Sequence, residues 1–275
     1  MREVYGLLYP EEKTEYLQVS RRSLAPAFLA AGEYACVLAA LPRQRLTGAQ
    51  LAAYCGTVCP EGEAESVFDL KTPDTKALYA FLAKLPRPET ADAVTGYLQS
   101  RPLRTGDILV DIGSGGTTQL LLEKLLGTEL LGMQLSADDR LRSRFSAART
   151  EVFLFDGAPA PRIYWAGQPL LERLLSQDVG ATLSYTKTPA GFRVDTATQP
   201  VEPLVAELQR GVLYFAQEWQ KSVLNGQAIE PQRAITPFLR LVESPTALQV
   251  KLLGDLTVED GGIYRWQHPA AWGIT

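Results

Sequence analysis

Between Gly106 and Gly127 the chain reads strand, glycine turn, helix, and this stretch limits the available folds more than any other. Ile108-Leu109-Val110-Asp111-Ile112 is a short apolar run rich in branched residues. It is cut off by Gly113-Ser114-Gly115-Gly116, and Thr117 to Leu126 then has helical spacing up to Gly127. The alternation continues. Leu130 to Leu135 reads as a second strand, Ala137 to Ala147 as a helix with acids first and arginines last, and Val152 to Phe155 as a third strand. Strands that alternate with helices specify a parallel sheet. The expectation is therefore an α/β protein with a Rossmann-like, mainly parallel sheet in residues 106–275.

After that core, Gln168 to Gln177 reads as a helix. Thr182 to Tyr185 and Phe192 to Val194 read as strands across a Pro189-Ala190-Gly191 turn. Val205 to Val223 reads as a long helix, and the tail from Thr236 to Leu253 as helical. Residues 1–105 form a mostly helical N-terminal region, punctuated by Pro42, Pro60, Pro73, Pro86 and Pro88. Thr47 and Gln50 have the form of a capping box, Asp74 is placed to cap a helix through Leu85, and Glu89 to Ser100 has one apolar face. Tyr16 to Val19 reads as a short strand.

Composition narrows the function classes. With 46% hydrophobic and 21% charged residues among 275, the chain is that of a globular protein, and its longest apolar runs are too short to span a bilayer. Glu3, Glu11, Glu12 and Glu15 stand where a secretory leader would need a basic segment and an apolar run, so a cytoplasmic protein is expected. The net charge of −4 gives no long-range attraction to nucleic acid, and Arg140, Arg142, Arg144 and Arg149 read as a solvated helix face among acids. Three cysteines, Cys36, Cys55 and Cys59, read as reduced thiols without the second pair a zinc site would need. His268 is the single histidine, which excludes a histidine metal cluster. No Gly-x-Ser-x-Gly elbow offers it a nucleophile.

Chemistry is therefore sought at the glycine turn. A strand end that opens onto a helix N-terminus offers free N–H groups and a positive dipole, where anions are stabilised. Gly113, Gly115 and Gly116 let a ligand approach the backbone, Ser114, Thr117 and Thr118 add hydroxyls, and Asp111 could take a ribose hydroxyl, a metal or the loop's own N–H groups. The alternative is a tight turn in which Asp111 is only a cap. Gln119 and the Asp156-Gly157 pair after the third strand are expected to line the same crevice, although Asp156-Gly157 would equally serve as a turn. A phosphate small molecule or nucleotide is the expected ligand, and no metal site is expected. Arg21 and Arg22 are further candidates for a phosphate, or an exposed helix start. Trp165, Trp219, Trp266 and Trp272 read as core or interface, with Trp266 to Trp272 a candidate stacking element.

No Walker sequence is present, and Thr118 occupies the third glycine position of a dinucleotide fingerprint. Val110-Asp111-Ile112-Gly113-Ser114-Gly115-Gly116 resembles the first motif of S-adenosylmethionine-dependent methyltransferases. That resemblance implies a cofactor held by the acid and the glycines, but Met133-Gln134 stands where the next strand's acid belongs. The segment also resembles the phosphate loop of the actin-like and exopolyphosphatase families, where a second strand follows the glycines. Here the helix-forming Leu120 to Leu126 follows.

A longer resemblance rests on five blocks in order. They are Tyr16 to Pro26, Val110 to Gln119, Leu170 to Leu175 with Gly180, Leu208 to Phe215, and Phe238 to Thr246 with Leu253-Gly254-Asp255. The order resembles the C-terminal module that follows the phosphatase-like domain in haloacid-dehalogenase-like proteins of bacterial surface-polysaccharide and glycosyltransferase gene clusters. Ser114 or Gly115 stands where that family often has an aromatic residue. Residues 1–20 contain no aspartate for an Asp-x-Asp pair, so the expectation is a chain without the hydrolase half. The resemblance implies an accessory module that binds a nucleotide, sugar nucleotide or phosphate and works with a glycosyltransferase or a separate hydrolase.

Overall fold

The structure is a computed structural model that describes residues 1–156, 159–175, 179–198, 202–222, 226–227, 229–253, 256–259 and 263–265. Helices α1 (Arg2–Leu8), α2 (Arg21–Ala30) and α3 (Tyr34–Ala40) open the chain. Strand β1 (Arg45–Thr47), α4 (Gly48–Tyr54), β2 (Val67–Asp69), α5 (Thr75–Leu82) and α6 (Ala91–Gln99) follow. The predicted caps form. The Thr47 hydroxyl accepts the Gln50 N–H while the Gln50 side chain accepts the Thr47 N–H, and Asp74 accepts the N–H groups of Lys76 and Ala77. β1 and β2 pair antiparallel, so residues 1–105 hold α1 to α6 and one small sheet.

Then come β3 (Ile108–Asp111), α7 (Thr117–Leu126), β4 (Leu131–Gln134), α8 (Asp139–Arg144) and β5 (Thr150–Val152). The sheet order is β3-β4-β5, all parallel, with Asp111 level with Gln134. The remaining elements are α9 (Arg162–Leu175), β6 (Thr182–Thr188), β7 (Gly191–Thr196), α10 (Pro203–Lys221), α11 (Pro231–Glu243), α12 (Ala247–Leu253), β8 (Thr257–Glu259) and β9 (Ile263–Arg265). β6 and β7 form an antiparallel hairpin, as do β8 and β9. The chain is thus a mixed α/β protein with one three-stranded parallel sheet. The expectation of a mainly parallel sheet is narrowed, because the other sheets among the described residues are antiparallel pairs.

Several expected elements differ, each for a local reason. Tyr16 to Val19 is not a strand. The Gln18 N–H donates to Tyr97 Oη (3.1 Å) and its carbonyl accepts from Tyr185 Oη (2.8 Å), so side chains take the bonds a neighbouring strand would have made. The third strand starts two residues before Val152 and ends there, since Phe155 has φ of 58° and breaks the extended run. The tail is two helices, α11 and α12, parted at Ser244-Pro245, where proline supplies no N–H. α9 begins at Arg162, ahead of the expected Gln168.

One contiguous core joins α2 to α6 with α7 and the hairpin. Leu24, Leu51, Leu78, Leu98, Leu121, Leu122 and Tyr185 all lie in it, so packing is continuous across residue 105. Cys55 is buried there, and burial pushes its thiol up to about 12. The later helices bury smaller clusters, Leu170, Val205, Val242, Leu253 and Leu256 in one, and Leu154, Tyr164 and Ile235 in another. The parallel sheet is covered on one face by α7, whose Gln119 side chain fills the notch over Gly132. Among the described residues, its other face is left largely uncovered. Ile108 is 61% and Val110 53% exposed, with Leu131 and Met133 beside them, which is unusual because parallel sheets are normally covered on both sides.

Candidate functional site

The C-terminal end of β3 opens into a cleft of about 580 Å³. Its floor is the turn from Asp111 to Thr118. One wall is Tyr16, Gln18, Val19 and Arg21 with Pro42 and Arg43. The other is the face of α9 that carries Trp165, Gln168, Pro169, Glu172 and Arg173, with Gly180 to Thr182 and Thr196 at the base of the hairpin.

Local chemistry shapes the turn. Gly113 donates its N–H to Asp111 Oδ1 at 2.9 Å, an Asx-type bond that reverses the chain at the strand end. Gly116, the N-cap of α7, has φ of 60°, and a Cβ there would lie 2.5 Å from Leu141 Cδ1. Only glycine satisfies both conditions. No side chain caps this helix start, so its positive dipole end faces the cleft. Ser114 O accepts the Asp138 N–H at 2.9 Å, and Arg144 donates to Gly115 O and Thr117 Oγ1, both at 2.8 Å. These bonds lock the turn to the α8 segment.

Cations surround it. Arg21, Arg43, Arg140 and Arg173 line the cleft, against the carboxylates Asp111 and Glu172. Asp138 grips Arg140 at 2.7 Å and 2.5 Å and so aims the guanidinium, which lies 3.1 Å from where a Gly115 Cβ would stand. Arg173 is buried beside Glu202 at 3.8 Å. Burial lowers the Arg144 pKa, with the charges of Arg140 and Arg43 in the same direction and Asp138 opposing. Burial also raises the Asp111 carboxyl above its ordinary value, opposed by the Gly113 N–H, the Arg21 charge and the Thr118 hydroxyl.

Of the residues expected at the site, Asp111, Gly113, Ser114, Gly115, Gly116, Thr117 and Thr118 line the cleft together, and Arg21 joins them. Gln119 does not. It is fully buried under the sheet, donating to Glu123 Oε1 and Leu130 O, because position 119 is on the helix face that packs on Gly132. Asp156 is not in the cleft either. It is exposed and faces Arg142 at 3.6 Å, and its neighbour Gly157 lies outside the described residues. Arg22 stacks over Tyr54. His268 and Trp266 to Trp272 also lie outside the described residues, within which no three His, Cys, Asp or Glu side chains converge as a metal site would require.

Sequence reasoning missed Arg43, Arg173 and the division of the arginine run. Arg140 and Arg144 are four apart and face the turn, whereas Arg142 donates to Phe155 O and Arg149 pairs with Glu123. The i, i+4 spacing was the available signal. Comparison with models of known protein families gives no match, and comparison with curated proteins gives none either.

Proposed function

We propose that the cleft binds a phosphate-bearing small molecule, a nucleotide or sugar nucleotide, and that the chain is an accessory module in bacterial surface-polysaccharide assembly. The observation that carries the binding half is an uncapped glycine start of α7 ringed by Arg21, Arg43 and Arg140 at the mouth of a parallel strand. The volume suits a nucleotide-sized ligand, since small-molecule pockets run from about 300 to 1,000 Å³. Tyr16 and Trp165 offer ring faces for a base or sugar. A Rossmann-like assignment is supported by the β3-β4-β5 order, with α7 and α8 as the intervening helices. The assembly half rests on the five-block resemblance, which also points to a glycosyltransferase or separate hydrolase as partner.

The second reading is an S-adenosylmethionine-dependent methyltransferase. Asp111 favours it, because it lies in the cleft beside the glycines as an ammonium-binding carboxylate would. Against it, β4 ends in Gln134, which is fully buried and outside the lining. A thermal-shift and calorimetric screen of nucleotide sugars, inorganic phosphate and S-adenosylhomocysteine separates the two. A ligand specific for the folded state adds about 2.7 kcal/mol at 100 times its Kd. Stabilisation by nucleotide sugars alone supports the first reading, and stabilisation by S-adenosylhomocysteine alone replaces it with the second. Silence from all probes overturns both.

A further inference from the structure

Helix α10 presents a seam of apolar side chains to solvent. Phe215 is 62% exposed and Leu208 and Val212 are also exposed, although all lie in the middle of a 19-residue helix. Exposed aromatic and aliphatic residues grouped in this way mark an interaction surface. At 3.6 residues per turn, Leu208, Gly211 and Phe215 share one face, and a Cβ at Gly211 would meet nothing within 4 Å. The seam thus has a low point where another helix backbone could approach closely.

Charge selects the occupant. The helix carries only four charged residues, Glu207, Arg210, Glu218 and Lys221, and they run along one flank of the seam beside the exposed Tyr214. In the free chain they pair within the helix, Arg210 with Glu207 and Lys221 with Glu218. Their order is minus, plus, minus, plus. Turning the helix end for end about Tyr214 exchanges Glu207 with Lys221 and Arg210 with Glu218. A second copy of α10 laid antiparallel therefore sets every charge against its opposite, the rule by which helix pairs choose partner and orientation. A parallel copy in register would oppose like charges.

We infer that α10 is a self-association surface, on which two copies of this chain pair antiparallel about Tyr214. Phe215 meets its counterpart at the centre, Gly211 gives the close approach, and the four charges close one flank. α1 packs on α10 away from this seam, with Gln220 Nε2 donating to Leu7 O, and so leaves it open.

Sedimentation velocity over a dilution series of the full chain tests this, with far-UV circular dichroism confirming that each variant is folded. The parent should show a monomer–dimer equilibrium, and Phe215→Asp should be monomeric throughout. Glu207→Lys places like charges opposite Lys221 of the second copy at both symmetry-related ends and should weaken the dimer about tenfold, the summed effect of the two exposed charge pairs. Adding Lys221→Glu to that variant should restore it, even though both introduced charges would then lie beside like charges within their own helix. A parent that is monomeric at every concentration overturns the inference. So does a dimer that survives Phe215→Asp, or a double variant no stronger than the single.

Discussion

The two walls of the cleft are built differently. The wall of Tyr16 to Arg21 and Arg43, with the floor at the glycine turn, stands on the large core that joins α2 through α7. The wall of α9 stands on small clusters of a few side chains each. The hairpin is the bridge between them, since Tyr185 stacks on Tyr97 at 4.3 Å inside the large core while Thr182 and Thr196 edge the cleft. Local stability follows buried contact density. The first wall is therefore the more firmly held of the two, and the α9 wall the more easily displaced.

The contrast breaks most directly under core truncation. Leu24→Ala should cost about 3–5 kcal/mol and Leu170→Ala about 2 kcal/mol, because a lightly packed site relaxes into the space more completely. Urea unfolding measures both. Equal losses would mean that the two walls are one cooperative unit.

Gly116 and Gly127 sharpen the comparison within the first wall. Both have positive φ, but only Gly116 is crowded. Gly116→Ala should cost about 2–4 kcal/mol, combining the left-handed penalty with overpacking against Leu141, and Gly127→Ala only about 1 kcal/mol. A tolerated Gly116→Ala that still binds ligand would remove the turn as the site.

Asp111→Asn should weaken ligand binding by about 1.5–3 kcal/mol if the carboxylate accepts a ligand hydroxyl or ammonium bond. If Asp111 only caps the turn, affinity should hold and stability should drop by about 1 kcal/mol. Its raised pKa adds a signature with a definite sign. On lowering the pH, the native state takes up this proton before the unfolded chain does, so stability rises through the window between the ordinary and the raised value. Affinity for a hydroxyl-bearing ligand falls over the same window, because the acceptor charge is lost. Calorimetry and urea titrations across that range should show the opposed trends, and Asp111→Asn should flatten both.

The smallest effect lies on the largely uncovered side of the sheet. Val110→Asp should change stability by no more than about 0.5 kcal/mol, whereas Leu109→Asp, one residue away on the packed side, should cost about 3 kcal/mol. A large loss at Val110 would show that something covers that face in solution.

Much of the local architecture was legible in the chain. Thr47 with Gln50, Asp74, and Gly113 through Gly127 each carry a signal spanning a few residues, since a cap or a left-handed turn is decided by groups within one helical turn of each other. That β3, β4 and β5 run parallel followed from alternation alone, whereas their order in the sheet came from the structure. The segment Tyr16 to Val19 was not legible as it folds, because its backbone partners, Tyr97 and Tyr185, lie about 80 and 170 residues away in sequence.

The site divides in the same way. Sequence by itself determined the floor, Asp111 and the glycines, because the strand-to-helix transition forces those residues to the strand mouth. Only the tertiary structure decided the walls. Arg43 and Arg173 come from distant elements and line the cleft only when α3 and α9 dock. Gln119 leaves the cleft because α7 turns that position onto Gly132. Spacing along one element fixes which residues share a face, but the charge around a ligand depends on which faces meet, and that is set by packing between elements far apart in the chain.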